Sequence, residues 1–334
     1  MLDPSSQSQH PGVTIGIPTM NRIDYLRLAL NSALAQTYDN LEIVISNNAS
    51  KDGTADYLAT CSDPRVRVLQ QHEPISGIDN LNACVLAARG EYFLLLSDDD
   101  MLEPDAIQEM VLGYSQFEGR FPAPGIVYCG GHIIDTVGDV KRPFKSSPER
   151  ETAREMIRGF FEGKREIWLC GILYRTIDIL PGFPAGLPLG ADTAIWMGAV
   201  IRHKSVVRVP IELVRYRQHQ NNSSSAGSID AWRHTLWELG ELAIRELTCI
   251  EGPDSLFDAN LRALIKRLNV GLIPGRINQS FCNQKLKGLL EYGRRLPCFL
   301  SPWGLLILVR GILSLFASEE LKKLIRKMRR APVV

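Results

Sequence analysis

Short uninterrupted apolar runs, VTIGI at 13–17 and LEIVI at 41–45, alternate with a stretch in which Leu26, Ala29, Leu30, Ala33 and Leu34 recur at helical spacing. Apolar runs of that length are how parallel strands buried on both faces look, and strands alternating with helices build βαβ units. The pattern continues with a short helix after Asp52-Gly53, a strand at Val66–Leu69, a helix marked by Ile78, Leu81, Val85 and Ala88 that stops at Gly90, and a fourth strand in YFLLL at 92–96. Asp24 is a candidate cap for the first helix. A helix from about Pro104 to Phe117 and a strand at Ile126–Cys129 follow. Residues 131–165 turn irregular and charged, which predicts that the doubly wound pattern ends there.

Ile172–Tyr174 and Val206–Val214 are expected as further strands, NNSSSAGS at 221–228 as a polar hinge, and Trp232–Leu247 and Leu261–Leu268 as helices of a separate layer. The predicted organisation is a disordered lead over 1–11, an α/β domain with a mostly parallel, doubly wound, Rossmann-like sheet over 12–227, and a helical C-terminal region over 228–334. The lead lacks the basic and apolar segments of a secretory signal.

The formal net charge of +1 conceals an asymmetry, because from Ser301 onward seven Lys or Arg face only Glu319 and Glu320. The apolar stretch at 299–317 carries Pro302 and Arg310, which disfavours a spanning helix. An interfacial helix with KKLIRKMRR drawn to anionic lipid is the expected arrangement, and packing on the preceding domain is the alternative. Seven cysteines without a C-x-x-C pair argue for buried thiols, with neither disulfides nor a zinc site.

The fourth strand ends in Asp98, Asp99 and Asp100. Carboxylates at the carboxyl end of a strand in an open α/β sheet lie where ligands bind, and hard oxygen ligands suit Mg²⁺ or Mn²⁺ sharing its shell with a diphosphate. The competing explanation is favourable negative charge near the start of the helix at Pro104. The first strand ends in Pro18-Thr19-Met20-Asn21-Arg22 and the second in Ser46-Asn47-Asn48-Ala49-Ser50, polar loops that can hydrogen-bond a base and ribose or serve only as turn and cap chemistry. No G-x-G-x-x-G follows the first strand and no P-loop motif occurs.

Taken together, IGIPTMNR at 15–22, LEIVISNNASKDGT at 41–54, GEYFLLLSDDD at 90–100 and Gly190-Ala191-Asp192 resemble family 2 glycosyltransferases of the GT-A fold across roughly residues 12–220. The resemblance implies inverting transfer of a sugar from a nucleotide diphosphate donor, with Mg²⁺ or Mn²⁺ as cofactor. It implies Asp99 as the direct metal ligand, Asp98 facing the donor's hydroxyls, and Asp192 as general base, although Ser97 and Ala191 stand where the family has acids. On spacing alone Asp192 is equally a helix cap.

The resemblance further places Pro18, Thr19, Asn21, Arg22, Asn47, Asn48 and Ser50 around the donor. An Asn can accept or donate, so Asn47-Asn48 admits UDP, dTDP or CDP donors. Tyr216-Arg217-Gln218-His219 resembles the segment that closes such domains, which implies Arg217 on the diphosphate and His219 on the diphosphate or metal. Trp168 and Tyr174 are candidates to touch an acceptor, or simply core aromatics.

The implied acceptor is a saccharide, lipid-linked as in O-antigen or capsule assembly, at the cytoplasmic face of a membrane and with no nucleic acid involved. Abequosyl or rhamnosyl transfer is a specific case of the same reading. Phosphoryl or nucleotidyl transfer, or a nucleotide-sugar-binding scaffold with weakened catalysis, are the rival functions.

Overall fold

The computed structural model describes residues 11–116, 123–187, 189–219, 229–266 and 268. In chain order the first half comprises β1 (Val13–Thr19), α1 (Ile23–Leu34), β2 (Leu41–Asn47), α2 (Thr54–Ala59), β3 (Val66–Gln70), α3 (Gly77–Ala87), β4 (Tyr92–Leu95), β5 (Met101–Leu102) and α4 (Ala106–Ser115). There follow β6 (Ile126–Ile134), β7 (Val140–Pro143), β8 (Arg150–Thr152), α5 (Ala153–Phe161), a 3₁₀ turn (Leu169–Gly171), β9 (Ile172–Arg175), α6 (Thr176–Ile179), α7 (Ala191–His203), β10 (Ser205–Arg217) and α8 (Ile229–Glu251). A further helix, α9, covers 255–266.

The strands form one sheet in the order β3-β2-β1-β4-β9-β6-β10-β5, with β7 on β6 and β8 on β10. β1 is parallel to β2 and β4, β2 to β3, and β10 to β6, whereas β9 runs against both β4 and β6. The α/β class with a mostly parallel sheet is therefore observed. Near-complete burial of β1, β2 and β4 explains their uninterrupted apolar runs, since helices cover both faces. Ile15, Ile17, Ile43, Ile45 and Leu94 meet Leu26, Leu30 and Met110 in the core.

The chain builds outward from β1 to β3 and then returns to place β4 on β1's other side, so strand order reverses between β1 and β4. That reversal opens a crevice at the carboxyl ends of the two strands. Residues 96–100 then carry the chain from β4 to β5, which is hydrogen-bonded to β10 rather than to β4, so the acidic loop is laid across the carboxyl edge of the sheet.

Two expectations are corrected. Residues 131–165 are not irregular: they supply the rest of β6 as well as β7, β8 and α5, although β7 and β8 pair antiparallel, so the doubly wound pattern does end there. α5 opens with a reciprocal capping box between Thr152 and Glu155, a T-x-x-E signature that is legible in the sequence. Asp24 does not cap α1 but sits in its first turn, and the Ile23 amide donates instead to Asp52 Oδ2 at 2.9 Å.

The chain divides into two compact units, Met1–Gly227 with Glu238–Leu261, and Ser228–Trp237 with Arg262–Val334; the whole sheet belongs to the first. Among the described residues no helix is long and apolar enough to cross a membrane. The expected lead up to His10, the hinge at 221–228 and the apolar and basic tail lie outside the described residues.

Close packing of β4 onto β1 begins at Gly90, where a Cβ would lie 2.6 Å from the Thr14 amide nitrogen and 2.8 Å from the Gly12 carbonyl oxygen. Both neighbours are backbone and cannot swing aside. Gly90→Ala is expected to destabilise the protein by about 1–3 kcal/mol in urea unfolding, the usual cost of overpacking a tight contact. An unchanged midpoint would show that β4 tolerates a wider approach.

Candidate functional site

The loops after β1 and β2 are knitted to each other before either can meet a ligand. The Asn21 amide donates to Ser50 Oγ at 2.9 Å, and the Lys51 amide donates to Asn21 Oδ1 at 2.7 Å. Asn21 and Ala49 both take left-handed backbone, with φ of 54° and 50°. Asparagine tolerates that region, but for alanine it costs about 1–2 kcal/mol, a strain of the kind found beside ligand sites. Pro18, on β1, is paired with Ser46 of β2 in the parallel ladder.

Asn47 and Asn48 are turned inward. Asn47 Nδ2 donates to Gln70 Oε1 at 2.8 Å, and Asn48 clamps the Ile75 backbone at both ends, donating to its carbonyl at 2.9 Å and accepting from its amide at 2.8 Å. Both side chains are buried. Through these bonds the two amides fix the loop after β3.

The acidic loop gathers partners from three elements. Thr19 Oγ1, at the end of β1, donates to Asp98 Oδ2 at 2.8 Å. Arg22 Nη1 lies 3.1 Å from Asp98 Oδ1 and 2.9 Å from Asp99 Oδ2, and His219 Nε2 lies 2.8 Å from the same Asp99 oxygen. The His219 ring stacks on Tyr25 of α1 at 5.5 Å between centroids.

Arg217 sits behind the loop, only 1% exposed. Its amide donates to Asp100 Oδ1 at 2.8 Å, its Nε to the Asp99 carbonyl at 2.9 Å, and its Nη1 to the carbonyls of Asp135 and Thr136 at 2.9 and 3.1 Å. Its guanidinium faces the Tyr25 ring at 5.2 Å. These bonds make Arg217 a positioning residue for Asp99 and Asp100.

Burial dominates the electrostatics. It pushes the Asp98 carboxyl up to about 6, against the opposing pull of Arg22 and with help from the charge on Asp99. Asp100 is raised well above the usual carboxylate range by burial and then by Asp99, with the Arg217 amide opposing. Cys170 in the 3₁₀ turn packs against Asp100, and its thiol is raised by burial and by that carboxylate.

Asp99 and His219 are the residues here that could hold a hard divalent cation. Asp99 Oδ2 and His219 Nε2, 2.8 Å apart, have nearly the separation of adjacent ligands in octahedral Mg²⁺ or Mn²⁺, roughly 3 Å for bonds of about 2.1 Å. Among the described residues no three His, Cys, Asp or Glu side chains converge on one point. Two protein ligands with the remaining positions left to phosphates and water is the ordinary arrangement for Mg²⁺.

Among the described residues no hydrogen bond or ion pair joins Asp192 to this cluster. Asp192 lies in the first turn of α7 and accepts from the Thr193 amide at 2.8 Å, and burial raises its pKa. Gly190 is the cap residue, so Asp192 is not the N-cap. Tyr174 is fully buried, with a hydroxyl that has no hydrogen-bond partner, and its pKa is raised by burial and by Asp192. Trp168 stacks on Tyr216 at 3.9 Å, next to Arg217. Sequence reasoning passed over Tyr25, Cys170 and the Asp135-Thr136 carbonyls; only Tyr25 left a signal, three residues beyond Arg22 on the same helix face.

Residues 14–163 match the model of the family described as Glycosyl transferase family 2. Over that stretch, a little under half of its length, the chain is similar to this family. An uncharacterised glycosyltransferase of Rickettsia typhi is 26% identical to it over 84% of this chain and 90% of its own length. A longer one from Rickettsia felis is 29% identical, and there the chain spans only 41% of the relative.

The fold is similar to that of Staphylococcus aureus TarS 1–349 solved with UDP-GlcNAc, at TM-score 0.55, 16% identity and coverage of 85% of this chain and 87% of that one. It is also similar to the mannosyltransferase PcManGT of Pyrobaculum calidifontis solved with GDP-Man and Mn²⁺, at TM-score 0.54, 16% identity and coverage of 93% and 89%.

Two expectations follow for this site. Arg217→Ala keeps the amide that meets Asp100 but strands the carbonyls of Asp99, Asp135 and Thr136, and should cost about 3–5 kcal/mol in chemical denaturation; a loss below 1 kcal/mol would remove its positioning role. Asp98 has a folded pKa raised above its unfolded value, so its contribution to stability is present near pH 4 and lost as pH rises through about 6. In metal-free protein, Asp98→Asn should therefore melt about 2–4 °C above wild type at pH 7.5, the gap closing toward pH 5. A gap that is constant with pH would contradict it.

Proposed function

We propose that this chain is an inverting glycosyltransferase that moves a hexosyl or deoxyhexosyl group from a nucleotide diphosphate donor to a saccharide acceptor. The observation that carries the reading is the Asp98–Asp99 pair at the reversal of strand order between β1 and β4, with Thr19, Arg22 and His219 converging on it. The family match over the same segment supports it.

Asp99 and His219 would hold Mg²⁺ or Mn²⁺, which supplies neutralisation of charge on a departing diphosphate. Asp98, held by Thr19, faces the donor's hydroxyls. In a direct displacement the acceptor hydroxyl oxygen bonds to the anomeric carbon, the bond from that carbon to the diphosphate oxygen breaks, and the hydroxyl proton passes to Asp192. Burial raises the Asp192 carboxyl above its ordinary value, which makes it a better proton acceptor. Among the described residues its hydrogen bonds come only from its own helix turn, so the carboxylate is not committed elsewhere in the fold.

The acceptor is proposed to be lipid-linked, at a cytoplasmic membrane face, as in O-antigen or another surface polysaccharide. Support comes from the apolar sequence at 299–317 followed by its basic run.

Asp192→Asn should bind UDP with unchanged affinity by calorimetry while turnover falls about 10²–10⁴-fold. Near-normal turnover would eliminate Asp192 as base. Wild type that binds UDP or GDP with Mn²⁺ yet releases no nucleotide diphosphate with any saccharide acceptor would favour the scaffold reading.

A further inference from the structure

The carboxylates proposed to meet the donor already share a cation supplied by the chain. Arg22 Nη1 bridges Asp98 Oδ1 and Asp99 Oδ2, and the Asp99 oxygen it uses is the one His219 Nε2 also contacts. A divalent ion bound by Asp99 Oδ2 and His219 Nε2 would need the space now filled by the guanidinium, and two cations cannot both sit at contact distance from one carboxylate oxygen without strong repulsion.

Arg22 is placed to yield. Its backbone is pinned on either side, by the Asn21 amide on Ser50 Oγ and the Ile23 amide on Asp52 Oδ2, so the loop need not move. Its side chain is 31% exposed, which leaves a solvent side to rotate into, whereas Arg217 beneath it is held by four bonds. Guanidinium is weakly hydrated and matches phosphate oxygens through paired N–H donors, so a diphosphate arriving with the metal offers it a new partner.

We propose that Arg22 is an exchangeable counter-ion, holding Asp98 and Asp99 when no divalent cation is bound and passing from Asp99 to the diphosphate when metal and nucleotide arrive together. The proposal rests on the reading that Asp99 and His219 hold the metal. Its consequence is thermodynamic coupling: metal alone binds against Arg22, while metal with a nucleotide diphosphate binds with its help.

The test is electron paramagnetic resonance titration of free Mn²⁺ against the full chain, with and without UDP and, separately, GDP. Arg22→Gln should bind Mn²⁺ alone about tenfold more tightly than wild type and lose most of the enhancement that the nucleotide confers. Arg22→Lys, which keeps the charge, should stay within about twofold of wild type for Mn²⁺ alone; a melting profile confirms that each variant is folded. Unchanged or weaker Mn²⁺ binding by folded Arg22→Gln, with nucleotide binding retained, overturns the counter-ion role while leaving the site intact. Wild type that binds Mn²⁺ neither alone nor with either nucleotide overturns the metal site and the proposal together.

Discussion

Three carboxylates in consecutive positions must be held at the end of one buried strand, and this constraint organises the domain around them. Asp98, Asp99 and Asp100 are each nearly inaccessible, so each needs its own compensation. Asp98 takes the Thr19 hydroxyl and Arg22, Asp99 takes Arg22 and His219, and Asp100 takes the Arg217 amide. Raised pKa values at Asp98 and Asp100 show that the compensation is incomplete. A chain selected only for stability would have replaced these acids with apolar residues; retaining them is the signature of a site.

The compensating groups come from parts of the chain far apart in sequence, and the order of strands brings them together. Thr19 ends β1, which pairs directly with β4; Arg22 follows at the entrance to α1. Arg217 and His219 arrive only because β10, nearly two hundred residues later, pairs with the short β5 that follows the acidic loop. Register shifts between Val209 and Val214 bend β10 there, as bulges do. β5 is two residues long, yet it anchors the far side of the loop and delivers the buried arginine beneath it.

The elements that could be read from the sequence share one property: their signal is local and periodic. β1, β2 and β4 announced themselves by apolar runs, and the Asp98–Asp100 cluster by its place at the end of one. The stretch 131–165 was opaque because β7 is exposed throughout and β8 contributes three residues, so neither shows the alternation or the run that marks a strand. α5 could have been recovered from its T-x-x-E cap, which was overlooked among surrounding charges. Asn47 and Asn48 show the opposite limit: a polar pair at a strand end is compatible with a ligand or with turn chemistry, and only the fold reveals that Gln70 and Ile75 are their partners.

By itself, the sequence determined the α/β class and the position of the acidic loop at the end of a buried strand. These follow from hydrophobic period and from where polar residues interrupt it. Tertiary structure alone decided the roles of the residues around that loop, because a role depends on which partner lies within hydrogen-bond reach across long separations. It set Arg217 as a buried brace behind the loop, bound Asn21 to Ser50, and placed Arg22 and His219 on the same oxygen of Asp99. It also put Asp192 on α7, joined to the acidic loop by no hydrogen bond or ion pair among the described residues.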